Sequence, residues 1–473
     1  MSRALHWFRS DLRTHDNLAL AAAQASGSVV GLYIATPQQW REHNDAPIKQ
    51  DYWRRNLHRL EDELRALGIP LVCVEVPNYA DIPPVLARLM QLWQIGALHC
   101  NREYACNEAT RDERMREVCR ELGVTMHVHD DHVLMAPERV LNKSGEPFKV
   151  FTPFARTLRA LLEQQGLPHA ARLRAQDMPA LAPAPERRAV HELSWGAIDP
   201  RWERLWPAGS EAAQRQLDAF CEMRIGDYKN ERNLPAIDGT SRLSPALAAG
   251  VISVRECWRR ATHWYDNDSA LAWQNELLWR DFYKGVMTHF PRVCKGYPWR
   301  NDVGHVPWRH DEAEFAVWCE GRTGIPIIDA AMRQLLHTGW MHNRLRMLTA
   351  TFLAKHLLID WRWGERWFMQ QLVDGDFAAN NGGWQWCAST GTDAAPYFRV
   401  FNPVTQSKRF DPEGRFIRHW LPELAHLDDR EIHEPKTQRP ADYPPAIVDL
   451  AFGRERALNA FKDKDTGFRP SPE

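Results

Sequence analysis

The chain has 473 residues, 44% of them hydrophobic and 26% charged, with 60 basic against 61 acidic side chains. That length predicts two or three domains in an ordinary globular protein, and the even charge excludes a general polyanion binder, so any nucleic-acid surface has to be a local patch. Nine scattered cysteines without a C-x-x-C pair exclude a disulfide framework or a zinc module. The opening "MSRALHWFRSD" lacks a signal-peptide core and no apolar run is long enough to span a bilayer, so a cytoplasmic protein is expected.

Over residues 1–130, short apolar runs ("ALHWF", "SVVGLYIA", "IPLVCVEV", "GALHCN", "VTMHVH") alternate with helical patterns such as "IKQDYWRRNLHRLEDELRALG". This alternation predicts βαβ units and a parallel, Rossmann-like α/β sheet. No G-x-G-x-x-G follows the first strand, so the dinucleotide fingerprint is missing. Residues 131–204, with "HAARLRAQDMPALAPAPERRAV", read as a long interdomain connection. From 205 to 473 strand signals fade, and a larger all-helical domain is expected. Its long runs are "SALAWQNELLWRDFYKGVMTHF" and "IIDAAMRQLLHTGWMHNRLRMLTATFLAKHLLIDW". Of 21 tryptophans, 14 fall between 251 and 420, which a Trp-rich helical core alone could explain.

Several clusters carry possible chemistry. In "GTSRLSPALAAG", Ser244 before Pro245 reads as an N-cap, while Thr240, Ser241 and Arg242 exceed what capping needs and suit a phosphate. In "WQNELLWRDFY", Trp273, Glu276 and Arg280 share a helical face. Glu276 is either half of an exposed ion pair or an acceptor for the N–H groups of a bound base. Asn343 and Met347 share another face, as core filler or as the wall of a pocket for a flat ring. "LVDGDFAANNGGWQW" fails as a calcium loop, because Ala378 and Ala379 stand where ligands and glycine are needed, and no metal is expected. Asp374, Asp376 and Asn380 ahead of Gly382–Gly383 fit hydrogen bonding to a heterocycle at close backbone approach.

Taken together and in order, "WFRSDLRTHDN", "TSRLS", "NELLWRDFY", "GWMHNRLRM", "DGDFAANNGGWQW" and "TGTDAAPYFRVFNP" resemble the photolyase/cryptochrome family over essentially the whole chain. Within it they are most similar to the bacterial class I, folate-containing branch that repairs cyclobutane pyrimidine dimers. The resemblance implies an antenna domain at 1–130, a linker at 131–204, and an FAD- and lesion-binding helical domain at 205–473. One FAD per chain is implied, active as FADH⁻, which after blue-light excitation lends an electron to a flipped-out dimer.

By motif, the resemblance assigns Tyr228, Thr240, Ser241, Arg242, Leu243 and Ser244 to the phosphate and ribose side of FAD. Trp273, Arg280, Asn343, Arg346, Asp374, Asp376 and Asn380 would surround its rings, with Asn380 facing flavin N5. Trp384, Trp361 and Trp308 would form an electron relay to the surface. Glu276 would contact the dimer's base edge, Trp279 and Trp386 would stack on it, and Asn343 and Met347 would touch the pyrimidines. Arg232, Arg344 and Arg399 would clamp phosphates. His43, Asn107, Glu108, Cys294 and Lys295 match positions that hold a 5,10-methenyltetrahydrofolate antenna. The implied partner is UV-damaged DNA, with no membrane and no obligate protein partner, and the protein is expected to be a monomer. The alternative is a cryptochrome-type blue-light receptor. Asn380, Trp386, Asn343, Met347 and the short tail after 420 favour repair.

Overall fold

The computed structural model describes residues 3–263, 267–304 and 306–462. The chain divides into two compact units. The first takes in residues 1–226, 241–291 and 373–378, and the second residues 227–240, 292–372 and 379–473.

The first unit is built on a six-stranded sheet: β1 (Arg3–Phe8), β2 (Ser28–Ala35), β3 (Leu71–Glu75), β4 (Ile95–Asn101), β5 (Thr125–His129) and β6 (Arg187–Arg188). The order is β5-β4-β1-β2-β3-β6. The first five strands are parallel, and β6 pairs antiparallel with β3 through Cys73↔Arg188. The inner strands β1 and β2 are buried on both faces, as expected of strands covered by crossover helices. The α/β expectation therefore holds, and the five strands fall on the five apolar runs. The two-residue antiparallel edge was not expected.

The motif after β1 is a buried polar clasp. Asp11 accepts from the Arg9 amide at 2.7 Å and from Asn101 Nδ2 at 2.7 Å, and His6 Nε2 lies 3.2 Å away. Arg13 and Arg255 both bind the Asp131 carboxylate, Arg255 at 2.7 Å. Burial alone would raise Asp131, but the two guanidinium groups hold it well below the usual carboxylate range. Gly250 sits at φ +65°, and a Cβ there would lie 1.9 Å from the Ser10 carbonyl, so only glycine lets the two backbones approach.

The segment read as a connection holds a helix of its own, Phe151–Gln165, with Phe151, Phe154, Leu158 and Leu162 buried. Its remainder is stitched along the sheet. Gln176 exchanges two 2.9 Å hydrogen bonds with the Val29 backbone, and the Trp93 indole donates to Ala182 O at 3.0 Å. This irregular backbone thus finds partners without secondary structure. The long helix Asp268–His289, capped by Asn267, groups with this sheet-bearing unit.

The second unit is helical. Its core gathers Trp318, Phe352, Trp361, Phe368 and Trp384 among buried aliphatic residues. The expected long run at 327–361 is broken. Pro326–Thr338 ends at Gly339, left-handed at φ 67°, and His342 caps the next helix, Asn343–Thr351. A π-turn follows at Phe352–His356, then the helix Trp361–Gln371. Among the described residues no helix is long and apolar enough to cross a membrane.

Candidate active site

In the first unit, Trp273, Glu276, Trp279 and Arg280 lie on the Asp268–His289 helix. Trp273 is buried against Phe220, ring centroids 5.0 Å apart. Trp279 is half-buried, and one face of its indole is covered by Phe151 at 3.7 Å with the planes 6° apart. Phe282 and Tyr283 also meet the ring, with centroids 5.6 and 5.5 Å away. Arg280 donates to the carbonyls of His132 and Leu247. Beside it, Asp281 accepts from the Leu134 amide at 2.7 Å, and burial pushes its carboxyl up to about 7. Asp281 Oδ1, 3.9 Å from Arg280 Nη1, and His132 Nε2 are buried polar atoms with no hydrogen-bond partner among the described residues.

The helix after "TSRL" is Ser244–Ala248, so the capping expectation is corrected: Ser244 opens the helix itself and Leu243 stands at the cap. Arg242 is exposed and left-handed at φ 51°, which turns the Thr240–Ser244 stretch sharply. Asp374 is buried and Asp376 half-buried. Two lysines that sequence reasoning missed hold this segment. Lys284 Nζ lies 2.9 Å from Asp376, and Lys49 Nζ donates to Gly375 O at 2.6 Å.

Three of the five expected antenna residues meet in this unit. Asn107 Nδ2 is 2.9 Å from His43 Nε2, and His43 Nδ1 is 3.7 Å from Glu108. Tyr79, also unforeseen, donates its hydroxyl to Glu108 at 3.1 Å. Cys294 and Lys295 close a short 3₁₀ turn in the second unit.

In the second unit, Asn343 opens its helix exposed, with Met347 half-buried one turn later. Arg344 donates twice to Asn233 Oδ1, at 2.7 and 3.2 Å, and lies over the Phe410 ring at 4.6 Å. Arg409 lies over the same ring at 5.1 Å. Burial, then Arg232 and Arg409, lower the Arg344 pKa, which marks a cluster of like charge. Arg232 itself packs over Tyr228 at 5.3 Å. Arg346 donates to Met341 O at 2.8 Å. Arg399 is exposed.

The helix Phe377–Cys387 shows why a glutamine stands between two tryptophans. Gln385 Oε1 accepts the Trp299 amide at 2.8 Å, and its Nε2 donates to Asn381 Oδ1 at 2.9 Å. Asn381 in turn donates to Glu365 Oε1 at 2.7 Å, and Asn380 to the Glu365 carbonyl at 2.9 Å. Asn380's nitrogen is thereby committed, which directs its oxygen the other way. Burial pushes Glu365 up to about 7, with the Asn381 hydrogen bond opposing.

Trp384 is buried, edge-on to Phe368 at 5.0 Å and to Trp318 at 6.1 Å. A Cβ on Gly364 would lie 2.1 Å from Trp384 Cη2, so Trp384 rests on the helix that Trp361 opens, one turn from it. Trp361 is fully buried. The Arg309 amide donates to Leu358 O at 2.7 Å, which pins Trp308 beside the strand-like residues leading to Trp361. Trp308 is half-buried against Phe461. The three indoles thus run from core to partial exposure. Trp386 is half-buried near Phe401. Among the described residues no group of His, Cys, Asp or Glu could hold a metal ion.

The chain, with its α/β unit and Trp-rich helical unit, matches two family models. Residues 4–173 match DNA photolyase, and residues 273–463 match the FAD binding domain of DNA photolyase. The deoxyribodipyrimidine photo-lyase of Escherichia coli is 44% identical, covering 98% of this chain and 99% of that protein. That of Vibrio cholerae is 43% identical, covering 97% and 99%. Among solved structures, a bacterial class III photolyase from Agrobacterium tumefaciens superposes with TM-score 0.86 at 34% identity, covering 98% of each chain. The chain belongs to the DNA photolyase family and carries that family's FAD-binding domain.

The residues fit FAD. Thr240, Ser241, Arg242 and Ser244 carry donors suited to a pyrophosphate, and Asp374 and Asp376 carry acceptors suited to ring N–H groups. Gly383 is a half-buried helical glycine whose added Cβ would meet nothing within 4 Å. A mid-helix glycine costs ~1 kcal/mol relative to alanine, and the open space beside it is where a flat ring could approach the backbone.

Proposed function

We propose that the chain is a light-dependent deoxyribodipyrimidine photo-lyase, which splits cyclobutane pyrimidine dimers in UV-damaged DNA. The observation that carries this reading is the near-full-length identity of 43–44% to relatives of that name. Residues 1–130 are assigned to the antenna, 131–204 to the linker, and 205–473 to flavin and lesion.

FAD, when bound, supplies the light-driven transfer of one electron to the dimer and its return. The chain's own residues do the rest. Tyr228, Thr240, Ser241, Arg242, Leu243 and Ser244 bind the phosphate and ribose side. Trp273, Arg280, Asn343, Arg346, Asp374 and Asp376 surround the rings, and Asn380 offers its oxygen at N5. Arg232, Arg344 and Arg399 grip phosphates, which position the strand without reading its sequence. A damaged site costs less to unstack, which favours extrusion of the lesion. Trp279, with Phe151 behind it, and Trp386 take the extruded bases, each stacking contact being worth ~1–3 kcal/mol. Glu276 accepts N–H groups at the base edge, and Asn343 and Met347 touch the pyrimidines. Trp384, Trp361 and Trp308 relay electrons inward from the surface. His43, Asn107, Glu108, Cys294 and Lys295 hold methenyltetrahydrofolate as antenna. The protein acts as a cytoplasmic monomer that joins the nucleoid on damaged DNA.

Glu276→Ala and Trp279→Ala are expected to keep flavin while losing at least about tenfold in repair rate per flavin or in lesion affinity. Repair and affinity both unchanged in the two variants would remove these residues from the site.

A further inference from the structure

The Phe352–His356 segment winds as a π-turn, with the Leu357 amide donating to the Phe352 carbonyl at 3.0 Å. Such turns redirect side chains that a regular helix would point elsewhere, and they recur at functional sites. Here the turn carries Lys355, wholly buried, and His356, also buried. The Lys355 ammonium donates to Ser389 Oγ at 2.8 Å, to Arg399 O at 3.2 Å and to Tyr397 O at 3.5 Å. His356 Nε2 lies 2.8 Å from Phe401 O. Ser389, left-handed at φ 61°, donates its hydroxyl hydrogen bond to Ala395 O at 2.6 Å, and the Ala395 amide donates to Trp386 O at 3.2 Å. Two successive side chains therefore tie down the loop between residues 389 and 401. Exposed at its tip are Phe398 and Arg399.

The charged and titratable neighbours interacting with Lys355 are the Cys387 thiol, the Arg399 guanidinium and the adjacent His356, with no carboxylate among them. Burial lowers its pKa to about 8. An ammonium among neutral oxygens is costly to bury, and a methionine would fill the same volume. What a lysine adds is three donors at one point, and here they converge on the loop that presents Arg399.

We propose that Lys355 is a positioning residue for damaged DNA: through the π-turn its ammonium holds the 389–401 loop so that Arg399 and Trp386 are set to grip the lesion-bearing strand. This rests on the assignment of Arg399 and Trp386 to DNA. The loop then needs no ordering when the strand arrives, which is how preorganisation strengthens binding.

The test uses the full flavin-loaded chain and a duplex with one thymine dimer, bound in the dark and then illuminated at saturating DNA. Lys355→Met is expected to weaken dark binding by about tenfold, with flavin absorption and repair per bound complex unchanged. On an Arg399→Ala background the same substitution should add clearly less than its tenfold, because the Arg399 contact is already gone and only the placing of Trp386 is left to lose. Unchanged binding by Lys355→Met, where Arg399→Ala weakens it, overturns the inference, as do penalties that simply multiply. If Arg399→Ala itself leaves binding unchanged, the assignment of Arg399 to DNA has failed and the inference falls with it. Should Lys355→Met fail to retain flavin, Ser389→Ala decides. Weaker binding with full flavin supports the proposal, and wild-type binding overturns it.

Discussion

Trp384 owes its place to a missing methyl group. Gly364 leaves room for its ring, and an alanine would put a carbon 2.1 Å from Cη2 and 2.6 Å from Leu353 Cδ2. Gly364→Ala is therefore expected to cost ~1–3 kcal/mol of stability by overpacking. Displacing the first indole of the proposed relay should also slow photoreduction of oxidised flavin by an external donor. Thermal denaturation and the flavin spectrum under steady light check both effects, and wild-type behaviour in both would mean that Trp384 is not held this way. The sequence made Trp384 and Asn380 visible because they sit in a dense motif. Lys49, Phe151, Lys355 and Glu365 stayed hidden, because each is an isolated residue whose role comes from partners far along the chain.

At the scale of elements, strands and long helices were legible wherever a hydrophobic period lasted. The run "SVVGLYIA" is β2 residue for residue, and the Asp268–His289 helix begins one residue before its predicted stretch. Signals failed where an element is set by its neighbours. The edge strand Arg187–Arg188 has no period to read, and a π-turn looks like any helix in sequence. The same holds for the tie between the Trp361–Gln371 and Phe377–Cys387 helices, where Glu365 meets Asn380 and Asn381. Folding raises the Glu365 carboxyl from an ordinary 4.5 to about 7. Its folded form holds the proton more tightly, so its contribution to stability is full below about pH 4.5 and is lost as pH rises to about 7. Glu365→Gln should flatten that part of the profile. Thermal midpoints at pH 5 and pH 8 are expected to differ less in the variant than in the parent, and parallel profiles would show that Glu365 does not titrate in this window.

For the whole molecule, even charge and a basic cluster coexist. With Arg232, Arg344 and Arg399 on phosphates, log affinity for dimer-containing duplex should fall against log salt with a slope of about −3. A slope near zero would remove the phosphate clamps, and one near −10 would require a basic surface that the chain's composition does not offer. The central claim, that the chain turns light into dimer cleavage, is tested most directly with reduced, flavin-loaded protein, a dimer-containing oligonucleotide and blue light, counting restored thymines. The expected result is many dimers opened per protein under light and none in the dark. Flavin-loaded, reduced protein that binds the oligonucleotide yet leaves every dimer intact under the lamp would contradict the account.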